Sequence, residues 1–289
     1  MHIKTELEIL ERRVEKLHAK DDLKGLMPVL DRQIELDPDC AVHWHNRGWT
    51  KRRLGNLDEA IADLDRALEL DPNNADTLQE RGEAYFDRDR LTLAIADFTA
   101  AIRLRPYDSK LYNERGMAWD VLGDLDQAIR DFRRALALNP KNSAAWSNLG
   151  TLYTEIGKWR RALFCLNWAI RFDPKDWMNV LNRGCLYQSM GNKRKALEDY
   201  DRAVRLGPNE VHTWGNRACL LAEMGRLKPA LRDFNRVLKL APGDPDALEK
   251  RGCILHKMGF RDEAARDFAR VLQAERPARP NWRFDVREG

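Results

Sequence analysis

The sequence lacks any apolar run near the roughly 18 residues that cross a bilayer, and its first twenty residues mix acids and bases without the apolar centre of a secretion signal. A soluble, cytoplasmic chain with no membrane partner is the expectation. Excess charge of one sign is equally scarce. Lys+Arg 50 against Asp+Glu 46 leaves +4 over 289 residues, spread along the chain, so nucleic acid is not an expected partner. The five cysteines are odd in number and form no Cys-x-x-Cys pair, which suits a reducing compartment better than a disulfide framework. No Gly-x-Ser-x-Gly elbow, His-Glu-x-x-His, phosphate-binding Gly-rich loop or dinucleotide fingerprint occurs. No catalytic, cofactor-binding or metal-ligating residue is therefore assigned, and an enzyme is not expected. His43 and His45 have the look of a ligand pair, but two residues apart on a helix they face different ways, so a structural or surface role is expected of them.

What is present is a period. Pro38, Pro72, Pro106, Pro140, Pro174, Pro208 and Pro242 stand 34 residues apart without insertion. With this Pro as position 32 of each unit, position 20 is Ala throughout: Ala60, Ala94, Ala128, Ala162, Ala196, Ala230 and Ala264. Position 8 is Gly48, Gly82, Gly116, Gly150, Gly184, Ala218 and Gly252, while position 24 is large and apolar or aromatic, as in Leu64, Phe98, Phe132 and Tyr200. Two small residues let two helices approach and one large residue fills the space beside them. Each unit thus reads as a helical hairpin. Its first helix, A, ends at a Gly of position 15, where a left-handed cap favours glycine, and its second, B, ends at the Pro.

This spacing, and stretches such as WSNLGTLYTEIGKWRRALFCLNWAIRFDP, resemble the tetratricopeptide repeat. The resemblance covers residues 7–278: a degenerate first unit over 7–40, with Val14 where the Gly belongs, then seven good units over 41–278, leaving a tail over 279–289. It implies an all-α, right-handed superhelical solenoid with helices A lining a concave groove and helices B forming the back. It also implies a protein-interaction adaptor or scaffold that binds a protein or peptide segment in the groove.

Within the units, two positions change together. Position 7 is Arg47, Arg81, Arg115, Arg183, Arg217 and Arg251, and position 23 in the same units is Asp63, Asp97, Asp131, Asp199, Asp233 and Asp267; the remaining good unit has Leu149 and Cys165. Such covariation inside one chain points to contact, within a hairpin or across to the next. As exposed ion pairs they would contribute about 0–1 kcal/mol each and serve register as much as stability. Position 6 is different: Asn46, Asn148, Asn182 and Asn216, interrupted by Glu80 and Glu114 and ending at Lys250. In the family this position faces the groove. An Asn ladder there resembles the one with which the repeat domains of O-linked N-acetylglucosamine transferases hold a peptide backbone, since a carboxamide both donates and accepts. The other reading, that Asn is simply frequent at this position, stays beside it.

Groove positions in residues 75–142 are acidic, with Asp76, Glu80, Glu83, Asp87, Glu114 and Asp120 against Lys110, which suits a partner with a basic segment. Those in 143–244, including Ser147, Thr151, Leu181, Cys185, Gln188, Gly215 and Cys219, are nearly uncharged. On the opposite face, Phe164 and Trp168 replace residues that are mostly charged or Ala elsewhere, and Trp177 follows at the next hairpin. These three form a candidate interaction patch, with a homodimer as its simplest use, whereas Trp146 and Trp159 are expected in the core. In the tail, Trp282 and Phe284 are the candidates to cover the last hairpin.

Overall fold

The computed structural model describes residues 2–274, and all sixteen regular elements among them are α-helices. Trp282 and Phe284 lie outside the described residues. The chain forms two compact units that divide between Leu152 and Tyr153.

The first unit contains α1 (His2–His18), α2 (Leu23–Leu36), α3 (Ala41–Arg53), α4 (Leu57–Leu70), α5 (Ala75–Asp87), α6 (Leu91–Leu104), α7 (Ser109–Leu122) and α8 (Leu125–Leu138). Helix α9 (Ser143–Glu155) contains the division. In the second unit follow α10 (Trp159–Phe172), α11 (Trp177–Ser189), α12 (Lys193–Leu206), α13 (Val211–Glu223), α14 (Leu227–Leu240), α15 (Pro245–Lys257) and α16 (Arg261–Ala274). Each helix from α1 to α8 packs on the next in the first unit, and each from α10 to α16 does so in the second; A helices also touch their neighbours, α3 with α5 and α5 with α7 in the first unit, α11 with α13 and α13 with α15 in the second.

The small-residue pattern explains the closeness of the hairpins. Ala60, Ala94, Ala128, Ala162, Ala196 and Ala230 have no solvent exposure at all. Phe98 and Tyr200 are buried beside Gly82 and Gly184, where a Cβ would lie 2.8 and 2.6 Å from ring carbons. Ala218 does place a methyl at the equivalent position, fully buried, so the hairpin holding Phe234 has adjusted to it. Hairpin corners use the left-handed region. Gly123 has φ +90°, and where the third unit lacks a glycine, Asp89 takes φ 59° instead, a conformation the short polar Asp tolerates better than most residues.

The degenerate first unit folds as a hairpin despite its missing glycine. Val14 is buried and packs with Leu26, Val29 and Leu30. Burial of each such side chain contributes about 1.5–3 kcal/mol, which replaces the close approach used by the later units.

Candidate functional site

The Arg and Asp positions meet within each hairpin. Arg47 donates from Nε and Nη2 to both carboxylate oxygens of Asp63, at 2.8 Å each, and from Nη1 to Asp31 of the preceding B helix at 2.8 Å. The same fork joins Arg81 to Asp97 and Asp65, and Arg115 to Asp131 and Thr99. In the second unit it joins Arg183 to Asp199 and Asn167, Arg217 to Asp233 and Asp201, and Arg251 to Asp267 and Asn235. One guanidinium therefore ties helix A to its own B helix and to the one before.

These are not exposed pairs, contrary to the expectation from sequence. The Asp63 side chain is 6% exposed and Arg47 17%, because the ion pair sits under the hairpin seam. The hydrogen bonds of Asp63, ahead of those of Asp31, raise the Arg47 pKa above its ordinary value against the desolvation that opposes it. In the central hairpin both replacements, Leu149 and Cys165, are buried apolar groups.

With these residues committed to the scaffold, the face of α3, α5 and α7 is built from what remains. A cavity of about 410 Å³ opens there, with Phe86, Phe98 and Met117 as apolar lining and Glu83, Asp87, Glu114, Arg52 and Lys110 as charged lining. Arg52 was missed as a partner of the acidic positions in the sequence because it belongs to the preceding repeat. Its guanidinium reaches Glu80 at 3.1 Å, Asp87 at 3.2 Å and also Glu83. Lys110 lies 3.3 Å from Glu83 and 3.2 Å from Glu114. Gln79 donates to Glu83 at 3.0 Å and to Glu114 at 3.1 Å. Asp76 is paired separately, with Arg105. Four carboxylates thus share two cations at this site.

Glu114 is the most constrained of the four. Its Oε1 receives Gln79 and Lys110, whereas its Oε2 is buried with no donor. Burial, and then the neighbouring Glu83, push its pKa up to about 8. Against the desolvation that would raise it, the neighbouring Glu114 and Gln79 and the charges of Arg52 and Lys110 hold Glu83 below its ordinary value. A proton held by Glu114 at neutral pH fits its raised value and the burial of an oxygen that no donor reaches. Glu80 is also raised, chiefly by burial. The cavity is therefore a partly desolvated carboxyl pair over an apolar floor, short of positive charge.

The Asn positions fall in both units. Asn148 donates to Oδ1 of Asn113 at 3.1 Å, at the cavity margin. Asn46 and Asn216 are half-buried and make no side-chain hydrogen bond among the described residues, and Asn182 is half-buried on α11. Around Asn182 and Asn216 the second unit's A helices carry Cys185, Gln188 and Cys219. Tyr200 donates its hydroxyl to Gln188 at 2.7 Å and lies 3.4 Å from the Cys185 sulfur. Burial raises both thiols, Cys185 and Cys219, which keeps them protonated and unreactive. Ser147 and Leu181, read from the sequence as groove residues, are instead buried between helices.

On the B-helix face, Phe164 is 57% exposed. Its ring meets Trp168 edge-on at 6.3 Å, Trp168 stacks on Phe172 at 5.4 Å, and Arg171 covers the Trp168 ring at 5.0 Å. Trp177 is spent differently. Its indole occupies the space where a Cβ on Gly207 would come within 2.9 Å, and it packs on the core of Ile170, Val180 and Tyr200. Trp159 reverses another expectation, being 37% exposed and not in the core. His45 lies 3.0 Å from Thr77 Oγ1 and burial lowers its pKa, while His43 is buried with Nδ1 3.3 Å from the Asp37 carbonyl.

No helix among the described residues is long and apolar enough to cross a membrane. Descriptions of the tetratricopeptide repeat match residues 45–109, 109–142, 132–164 and 194–249. No curated protein matches the chain. Among solved structures it is similar to a tetratricopeptide repeat protein from Parabacteroides merdae ATCC 43184, with TM-score 0.73 and 21% identity over 87% of this chain and 99% of that one. It is also similar to yeast Tom70, with TM-score 0.70 and 20% identity over 90% of this chain and 56% of that one. A third likeness is to the APC/C hetero-tetramer Cut9-Hcn1, with TM-score 0.70 and 18% identity over 84% of this chain and 48% of that one. At these identities the likenesses speak for the fold alone.

Proposed function

The chain belongs to the tetratricopeptide-repeat family, and from that premise we propose that it is a non-enzymatic protein-interaction scaffold which holds an extended segment of another protein and seats one of its Lys or Arg side chains against Glu83 and Glu114. The observation that carries this reading is the 410 Å³ cavity with carboxyl groups above Phe86, Phe98 and Met117. Its size lies within the range of about 300–1,000 Å³ typical of ligand sites. A long basic side chain has the matching division, an apolar stem and a cationic head. Its charge would complete the neutralisation that Arg52 and Lys110 leave unfinished. Asn46 and Asn148 in the first unit and, taken separately, Asn182 and Asn216 in the second would serve a guest's backbone, since a carboxamide binds peptide groups whatever their side chains.

The test is selection of extended peptides from a random library on the full chain, repeated on the Glu83→Gln, Glu114→Gln double variant. Enrichment of Lys or Arg at one peptide position, lost in the variant, is the expected result. Peptides that bind the two proteins alike, or selection with no basic preference, would refute the proposed pocket.

A second reading, self-association or partner binding through the B-helix face, is favoured by one observation, the exposure of Phe164 beside Trp168. Arg171 over the Trp168 ring and the partial burial of Trp177 reduce the apolar area on offer. For that reason the cavity is the preferred site.

A further inference from the structure

The corner between α2 and α3 departs from its counterparts in the other repeats at two chemically important places. Across the repeats, the residue capping helix A is Asn74, Asp108, Asn142, Asp176 or Asp244, each accepting a backbone N–H of the first turn. Glu210 is a cap without such a bond, and at α3 the residue is Cys40, which also makes none. Cysteine is not among the side chains that cap helices well. Three residues further on, Thr77 and Thr213 have their counterpart in His43, which is 6% exposed.

The third member is Asp37. In the next repeat the equivalent Asp71 accepts a hydrogen bond from Asn74 at 3.1 Å. With cysteine in the place of that Asn, the half-buried Asp37 carboxylate has no side-chain hydrogen bond or ion pair among the described residues. A carboxylate oxygen of Asp37, the sulfur of Cys40 and a ring nitrogen of His43 all lie within 4.8 Å of one another. Replacement of a good cap by a thiol, a buried imidazole and an unpartnered carboxylate at one point is a local conflict that folding alone does not explain.

We propose that Asp37, Cys40 and His43 bind one divalent cation of the zinc type, with water completing a tetrahedral shell. The donor set is sulfur, nitrogen and oxygen, which suits zinc and disfavours magnesium and calcium. Tetrahedral zinc sites hold their donor atoms about 3.3–3.8 Å apart, as bond lengths of ~2.0–2.3 Å require. Closing the present spacing needs side-chain movement of about 1 Å. The backbone is already fixed: Trp44 Nε1 donates to the Pro38 carbonyl at 2.8 Å, as Trp146 does to Pro140 and Trp214 to Pro208. The N-terminus of α3 favours the thiolate that metal binding requires. The ion would bridge the end of α2 to the start of α3, so it would stabilise that corner without being needed to form it.

The test uses tag-free full-length protein stripped with chelator and titrated with Zn²⁺, and in parallel with Co²⁺ as a spectroscopic probe. Uptake of one equivalent at micromolar protein, with a thiolate-to-cobalt charge-transfer band, is expected. Cys40→Asn should abolish the band, and His43→Thr and Asp37→Asn should each weaken binding tenfold or more. Each replacement is a residue that another repeat carries at the same corner, at Asn74, Thr77 and Asn139. Thr213 there donates to the Gly207 carbonyl at 3.1 Å, the role His43 has toward Asp37, so these variants should keep the wild-type melting curve in the absence of metal. Zn²⁺ should raise the melting temperature of the wild type and not that of Cys40→Asn. Failure to take up metal at these concentrations, or uptake and spectrum unchanged in the Cys40 and His43 variants, would overturn the site.

Discussion

On the first unit's A helices, α3, α5 and α7, ionisable groups crowd around a cavity: Arg52 and Lys110 among Glu80, Glu83, Asp87 and Glu114. On the second unit's α11 and α13 the corresponding places hold the uncharged Asn182, Cys185, Gln188, Asn216 and Cys219, with Tyr200 beside Cys185 and Gln188, and Gln188 donating to Glu223 at 2.9 Å. Beneath both faces runs the same Arg–Asp fork, with the same geometry from Arg47 to Arg251. The contrast separates two kinds of residue. Positions that contact their own hairpin and the preceding one change only together, as Leu149 and Cys165 do, whereas positions one turn away are free to take up chemistry for a guest.

The largest effect should come from the fork, and it should be alike in the two units. Arg81→Ala would leave Asp97 buried without its partner, and Arg217→Ala would do the same to Asp233. Loss of one member of a buried pair costs about 3–5 kcal/mol. Urea denaturation followed by far-UV circular dichroism should show a lower midpoint for both variants. A change in only one of them would mean that the fork supports a single unit.

A smaller effect, confined to the first unit, follows from Glu114. Its folded pKa is raised from 4.5 to about 8, so its contribution is fully present below the unfolded value near 4.5 and is lost as pH rises through about 8. The wild type should therefore lose stability between pH 5 and 9 by about 1–3 kcal/mol, and Glu114→Gln should lose much less over that range. Parallel pH profiles for the two proteins would show that the carboxyl pair holds no proton at neutral pH.

The smallest effects belong to the Asn positions. Asn46→Ala and Asn216→Ala should change stability by less than about 0.5 kcal/mol, as neither side chain has a hydrogen bond among the described residues to lose. Each should weaken a bound peptide by about 0.5–1.5 kcal/mol. Calorimetry of both variants with a selected peptide checks this. Unchanged affinity would leave the Asn residues outside the binding site. At the B-helix face, sedimentation of the Phe164→Arg, Trp168→Arg double variant at high concentration should match the wild type, whereas a concentration-dependent dimer lost only in the variant would favour the second reading.

The hairpins were legible in the sequence because their demands recur every 34 residues: a small residue at Gly82 or Gly184, an Ala such as Ala94, a ring such as Phe98. The Arg–Asp contact was legible too, through the joint change to Leu149 and Cys165. Its third bond was not, since position 25 varies among Asp31, Thr99 and Asn167, which share only an acceptor oxygen. Nor was the burial of the pair, because charge in a sequence reads as surface. The cavity was half legible. Its acids could be read off one repeat at a time, but Arg52 comes from the repeat before, and Phe98 comes from a B helix, reaching through the gap that Gly82 leaves. The packing of Trp177 was not legible, because the space it fills lies 30 residues away, at the missing side chain of Gly207.

The proposed cation pocket is tested most directly by the pH dependence of binding. A cation entering between Glu83 and Glu114 should expel the proton that the pair holds, while Lys110, raised by the same carboxylates, stays charged. The affinity of a selected Lys-containing peptide for the full chain should therefore rise between pH 6 and 9, and replacement of that Lys by norleucine or of Glu114 by Gln should remove the rise. A peptide that binds the wild type and Glu114→Gln with the same pH profile, or more tightly in acid, would contradict the account.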